Sequence, residues 1–186
     1  MIGRTLFLIG SSLLVATSAG AHSVTVIGGN ADAIDCYRAA DSEQRRPEAI
    51  AKCNQALQAA DVDERDRMAT LVNRGIIRFR LEDFEGAMVD FDAALALEPG
   101  QPDAMINRGI TMLAGGAEID DAMTYLNRGI ERNPQRPWVG YYGRGVAHEL
   151  AGRDTMAYRE YRRAQELRPG WAPAEQALTR FSVRGG

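Results

Sequence analysis

The chain has 186 residues, 25% of them charged and 45% hydrophobic, with a formal net charge of −3. This length suits one domain with a hydrophobic core of its own. The negative balance argues against nucleic acid and against an anionic membrane surface as partners, because both attract an excess of lysine and arginine.

The first residues have the organisation of a signal peptide. Met1–Arg4 is short and positive, and residues 5–16 are an apolar run too short for a bilayer, which needs roughly 20 apolar residues. The small residues Ala-Gly-Ala at 19–21 have the A-x-A pattern that signal peptidases cut. We predict cleavage between Ala21 and His22 and export to the periplasm or the exterior; an uncleaved membrane anchor is the alternative. We predict no membrane span after cleavage.

The two cysteines, Cys36 and Cys53, are separated by sixteen residues. An exported destination makes an oxidising environment the expectation, and there a cysteine pair favours a disulfide. A zinc site would need further ligands, yet the two histidines are His22 and the distant His148. A redox-active pair would more typically be C-x-x-C. We expect a structural disulfide and neither a metal ion nor a cofactor.

Two short motifs recur along the chain. Leu-Val-Asn-Arg-Gly ends at Gly75, Met-Ile-Asn-Arg-Gly ends at Gly109, and a looser copy ends at Gly145, so the glycines are 34 and 36 residues apart. Each motif is followed by an alanine, then four residues later by an aromatic residue or leucine, then eight later by a proline. A fixed period of this length indicates a stack of repeated structural units.

Each unit has the pattern of a helical hairpin. Apolar residues recur at intervals of three and four in both halves, with a turn between them, and Asp83 is placed to cap the second helix of the clearest unit. Gly75 and Ala87 are small where two helix backbones would come close, and Phe91 lies on the same face as Ala87 and would fill the seam. Pro99 then ends the helix.

The spacing of Gly75, Ala87, Phe91 and Pro99 resembles the tetratricopeptide repeat. The whole chain is similar to small exported tetratricopeptide proteins of Gram-negative bacteria. This resemblance implies an all-α fold, an α-solenoid of antiparallel helical hairpins with a C-terminal capping helix. The expected organisation is a signal peptide at 1–21, a linker at 22–30, a repeat domain at 31–182 and a tail at 183–186. Within the repeat domain we expect a divergent repeat at 31–62, three further repeats at 68–101, 102–136 and 138–171, and a capping helix at 172–182. Arg74, Arg108 and Arg144 depart from the family pattern, which commonly has leucine there.

The resemblance also implies a site, because the first helices of successive units line a concave groove that contacts ligands. The residues carried over to this groove are Val72, Asn73, Ile76, Phe79, Arg80, Ile106, Asn107, Ile110, Leu113, Tyr142, Val146 and Glu149. Their apolar character favours an amphipathic helix or an extended peptide as ligand, with Asn73 and Asn107 bonding its backbone. The alternatives are that the same side chains pack between neighbouring helices, or that a homodimer uses this face. A clamp for a terminal carboxylate is not expected, because Lys52 is the only lysine and lies outside the groove.

No set of nucleophile, base and metal ligands occurs in the sequence, so we expect no catalytic activity. The function expected is a protein-interaction module of the cell envelope, a scaffold or adaptor that binds a protein or peptide partner in the groove. A periplasmic carrier or chaperone that shields apolar segments, and a homodimeric structural protein, remain as alternatives.

Overall fold

The structure, a computed structural model, describes residues 2–4, 23–25, 30–42, 46–60 and 62–183. In these ranges the helices are α1 Ala31–Asp41, α2 Ala49–Gln58, α3 Glu64–Arg80, α4 Phe84–Leu97, α5 Pro102–Ala114, α6 Ile119–Glu131, α7 Pro137–Leu150, α8 Asp154–Leu167 and α9 Ala172–Leu178, and the strands are β1 Ile2–Arg4 and β2 Phe181–Val183. The apolar run at 5–16 and the cleavage site expected between Ala21 and His22 lie outside the described residues. Within the described part of the chain, none of the helices combines the length and the apolar character that crossing a bilayer requires.

Side chains at the helix N-termini explain where several helices begin. Asn30, Asp63 and Asp83 each accept a hydrogen bond from the backbone N–H three residues later, at 3.0, 2.7 and 2.9 Å. Such caps satisfy N–H groups that have no partner inside the helix. The cap predicted at Asp83 is confirmed. Pro102 and Pro137 each occupy the first position of a helix, where a missing N–H has no cost.

Successive helices pair as antiparallel hairpins, and the hairpins stack into a curved solenoid. Among the described elements, α1 contacts α3, α3 contacts α5 and α5 contacts α7, whereas contact between successive members of α2, α4, α6 and α8 is at most marginal. Helices that touch along a stack lie on its inner, shorter side. The odd-numbered helices α1 to α7 therefore form the concave face, and the all-α solenoid expected from the sequence is confirmed.

The recurring glycines permit the close approach of the two helices in a hairpin. A Cβ on Gly75 would lie 2.7 Å from the Phe91 ring, and one on Gly145 would lie 2.5 Å from the Tyr161 ring. In the middle hairpin a Cβ on Gly109 would lie 2.9 Å from a side-chain carbon of Leu126. Contacts this short do not occur between real side chains, so the seam requires glycine opposite a large residue.

The arginine that precedes each of these glycines joins two hairpins. Arg74 of α3 donates to both carboxylate oxygens of Asp90 on its own hairpin and to Asn54 on α2 of the preceding hairpin, at 2.6 to 3.2 Å. Asp90 also accepts from Arg78 at 2.9 Å, and its side chain is only 1% exposed. The buried carboxylate is thus held by two cations.

The same arrangement recurs in the later hairpins. Arg144 binds Glu160 of its own hairpin and Asn127 of the preceding one. Arg108 binds Asp92 of the preceding hairpin and lies 4.1 Å from the centre of the Tyr125 ring in its own. These arginines, which we call the arginine ladder (Arg74, Arg108 and Arg144), replace the apolar contact that leucine makes at this position in the repeat family.

Both ends of the solenoid carry additional links. At the N-terminal end a disulfide joins Cys36 of α1 to Cys53 of α2, and both residues are fully buried. At the C-terminal end α9 stops at Leu178, so it is shorter than the helix of 172–182 that we predicted. Phe181–Val183 is extended and pairs antiparallel with β1. Beyond the helix, the buried Phe181 side chain packs against the ring of Tyr161, with the ring centroids 6.0 Å apart.

Candidate functional site

The structure buries most of the residues that we carried over to the concave groove. Eleven of these twelve are buried, and the twelfth, Val146, is half-buried. The eleven are Val72, Asn73, Ile76, Phe79, Arg80, Ile106, Asn107, Ile110, Leu113, Tyr142 and Glu149. The concave face of the described chain is therefore filled rather than open.

In the middle of the concave face, apolar side chains fill the space between successive inner helices. Ile106 and Ile110 of α5 lie against the backbone of α7, where a Cβ on Gly143 would come within 3.0 Å of Ile110. Within its own hairpin, Phe79 of α3 packs on Phe84 of α4, with ring centroids 5.7 Å apart. These contacts are ones that neighbouring helices of any such stack must make, so they do not distinguish a ligand site from a core.

At the C-terminal end of the solenoid, Trp171 and Arg180 cover part of the concave face. Arg180 donates to both carboxylate oxygens of Glu149, at 3.0 and 2.7 Å, and Tyr161 donates to the same carboxylate at 2.8 Å. The Trp171 ring packs edge-on against Tyr142, with centroids 5.3 Å apart. Burial raises the pKa of Tyr142, because the phenolate would lose its hydration. Tyr142 and Glu149 thus anchor the C-terminal segment.

At the N-terminal end, the first helix covers part of α3. Arg80, only 1% exposed, donates to the backbone carbonyl of Ala40 at 2.6 Å. This guanidinium, which we expected to contact a ligand, fixes α1 against the end of α3.

One segment on the concave face has the form of a bound peptide. Residues 23–25 have no regular secondary structure and lie across α3. The Asn73 side-chain oxygen accepts from the backbone N–H of Val24, and the Asn73 amide donates to the Val24 carbonyl, both at 2.8 Å. Asn73 is fully buried and Val24 is 6% exposed. The Asn73 side-chain amide thus pairs with both the N–H and the C=O of Val24. A neighbouring β-strand pairs with an extended backbone in the same way.

An acidic residue fixes the start of this segment. The Ser23 hydroxyl donates to Asp41 Oδ1 at 2.9 Å, and Arg136, which precedes α7, donates to the same oxygen at 2.8 Å. Burial raises the pKa of the Asp103 carboxyl, and the nearby Arg136 opposes this in part by favouring the carboxylate. Asp41 therefore links the segment to both ends of the concave face.

Next to the segment is a cavity of about 580 Å³, a volume within the range of small-molecule and peptide pockets. Beside Val24 and Thr25, its lining comprises Arg65, Met68, Ala69, Glu98, Gln101 and Gln135. Apolar side chains of α3 and polar side chains from several elements thus line the same cavity beside the segment.

Ser23, Val24, Asp41 and Arg136 were not among the predicted site residues, and residues 22–30 were predicted to be a linker. A signal was present, since residues 23–27 read Ser-Val-Thr-Val-Ile, a run of hydroxyl and β-branched residues that favours extended structure. Clusters of three or more His, Cys, Asp and Glu side chains suited to a metal ion do not occur in the described ranges.

The hairpin geometry, the glycine seams and the curvature together define the fold of tetratricopeptide-repeat domains, as the resemblance of the sequence implied. Solved structures of other proteins share it, among them those of OM64 and MamA. The TPR domain of OM64 from Arabidopsis matches with a TM-score of 0.56 and 19% identity, over 63% of this chain and 96% of that one. MamA matches with a TM-score of 0.54 and 21% identity, over 70% of this chain and 72% of that one. No family model matches the chain, and no curated protein matches it.

Proposed function

We propose that the chain is an exported, non-catalytic protein-interaction module that binds an extended segment of a partner across α3 on the concave face. The pair of hydrogen bonds between Asn73 and the backbone of Val24 carries this proposal. On the side of the segment, both bonds involve only main-chain atoms, so an extended segment of another protein can form them equally well.

The other inner-face residues favour this position over the rest of the groove. Arg80 and Glu149 are engaged with Ala40 and Arg180, and Ile110 lies against α7. At Asn73, the described residues that cover α3 are 23–25, which lie outside any helix and have a cavity beside them. A partner can enter there without disrupting a helix.

We infer from the expected signal peptide that this module acts in the cell envelope, where a partner would be an envelope protein. A scaffold or adaptor would select one such partner. A carrier or chaperone that shields apolar segments would take many, because main-chain bonds alone do not select a sequence.

The test is affinity capture from the host envelope after crosslinking, with mass spectrometry of the captured proteins. Asn73→Ala removes the amide from the concave face, and Asn127→Ala is the matched control, because Asn127 belongs to α6 and bonds Arg144. We expect Asn73→Ala to lose the partner and Asn127→Ala to retain it. Equal capture by both variants would refute binding over α3. Replacing Phe79 or Ile110 by aspartate would be a poorer test, because both are buried and the chain would unfold.

A further inference from the structure

The segment that occupies the proposed site is part of the same chain, and this has consequences for which partner binds and when. We propose that residues 23–25 are an internal ligand that competes with the partner, and that the partner carries the same features: a hydrogen-bond donor side chain followed by a valine-sized apolar residue in extended conformation. This inference rests on the proposed function.

The first feature is set by Asp41. Its carboxylate oxygen accepts from the Ser23 hydroxyl at 2.9 Å and from Arg136 at 2.8 Å. The arginine orients the carboxylate toward the segment, so the position that Ser23 occupies favours a donor. A residue with only an acceptor there would face a negative charge and be rejected.

The second feature is set by the surface under Val24. The Val24 side chain is 6% exposed and lies with Met68 and Ala69 at the wall of the cavity. Ala69 leaves room for a branched side chain of this size, and Met68 adapts its shape to it. A charged side chain would lose its hydration at this position.

The competition follows from how few contacts hold the segment. Within the described part of the chain, residues 23–25 are held by the two bonds to Asn73, the bond to Asp41 and the buried Val24 side chain. Ordering three residues outside any helix costs conformational entropy comparable with these gains. The occupied state is therefore favoured over the vacated state by only about tenfold, and occupation lowers the apparent affinity for a partner by the fraction of chains that are vacated.

The test measures binding of a fluorescent synthetic peptide with the sequence of residues 22–27 to the full purified chain. Val24→Asp releases the internal segment, and Val89→Asp is the matched control, because Val89 is 65% exposed on α4. We expect Val24→Asp to bind the peptide at least roughly tenfold more tightly than the unaltered chain and Val89→Asp to bind it unchanged. Circular dichroism establishes that both variants are folded. Equal affinity of Val24→Asp and the unaltered chain would refute the competition.

Changes in the peptide test the two features of the partner. Replacing its serine by alanine, or its valine by aspartate, should weaken binding to the Val24→Asp chain by at least about tenfold. Full affinity of both altered peptides would show that Asp41 and the surface beside Met68 select nothing, which refutes the partner chemistry.

A third variant separates failure of this inference from failure of the proposed function. Adding Asn73→Ala to Val24→Asp should abolish peptide binding. If the unaltered chain and Val24→Asp bind equally and both lose binding with Asn73→Ala, the site over α3 stands and only the internal competitor is refuted. If the peptide binds neither chain, or binds regardless of Asn73, the site over α3 itself is refuted.

Discussion

The arginine ladder makes a quantitative prediction at Arg74. We consider Arg74→Leu, which introduces the residue that the repeat family commonly has at this position. Asp90 is 1% exposed and accepts from Arg74 at 2.6 to 3.2 Å and from Arg78 at 2.9 Å. Removing one partner of a buried ion pair costs about 3–5 kcal/mol. Since Arg78 remains bound to the carboxylate, we expect a smaller loss, about 2 kcal/mol of the free energy of unfolding.

Arg108→Leu is the matched control, because Arg108 occupies the same place in the next hairpin. Its acidic partner Asp92 is 54% exposed and stays hydrated when the arginine is removed. An exposed pair of this kind contributes about 0.2–1 kcal/mol. We therefore expect Arg108→Leu to cost about 1 kcal/mol or less.

The assay is urea unfolding followed by circular dichroism, extended to a double-mutant cycle with Asp90→Ala. Once the carboxylate of Asp90 is absent, Arg74→Leu should cost at least about 1 kcal/mol less than it does in the unaltered chain. Equal losses for Arg74→Leu and Arg108→Leu, or a cycle with no coupling, would refute the reasoning that burial of the acid determines the cost.

Three further predictions concern other parts of the fold. Burial raises the pKa of Asp103 above its ordinary value, so the folded chain binds the proton more tightly than the unfolded chain does. The folded state should therefore lose stability as the pH rises from roughly 4 through that pKa. Asp103→Asn should remove this loss from the urea midpoints, and a pH profile identical to that of the unaltered chain would contradict the prediction. Replacing both Cys36 and Cys53 by alanine opens a loop closed over 17 positions and should lower the free energy of unfolding by about 3 kcal/mol. The unaltered chain with reductant should melt at the same temperature as this variant. A variant that melts at the temperature of the oxidised, unaltered chain would contradict the prediction. Gly129→Ala would set a Cβ 2.7 Å from an isoleucine side chain of α5 and 2.9 Å from a backbone carbonyl oxygen of α5. We expect it to lower the free energy of unfolding by about 1–3 kcal/mol. Gly100→Ala, whose Cβ would lie 3.7 Å from its nearest described neighbour, should be nearly neutral in the same urea unfolding assay.

The sequence predicted the hairpins well because their determinants are local and periodic. Gly75 and Phe91 stand at a spacing that places them on facing helices, and the structure brings them together. Asp83 precedes its helix with the side chain that a cap requires, and it accepts the expected bond. Such signals depend on residues within one unit, so they can be read without knowing how the units stack.

The use of the concave face could not be predicted in the same way. An apolar residue such as Ile110 satisfies a helix–helix contact and a ligand contact equally well, so its identity does not separate the two. Arg80 and Glu149 find partners 40 and 31 positions away, at Ala40 and Arg180. Val24 meets Asn73 over 49 positions. None of these sequence separations equals the repeat spacing of 34 or 36 residues, so the repeat pattern does not predict them.

The ion pair between Asp41 and Arg136 connects positions 95 apart in a molecule whose hairpins otherwise touch mainly their neighbours. A stack of hairpins without such a link behaves as a spring, because each joint can flex a little. The ion pair instead joins the end of α1 directly to the start of α7 across the inner side of the stack. Stretching the spring would part Arg136 from Asp41 and, since Ser23 shares that carboxylate, would loosen residues 23–25 in the same movement. Tension on the solenoid and release of the segment are thus mechanically coupled.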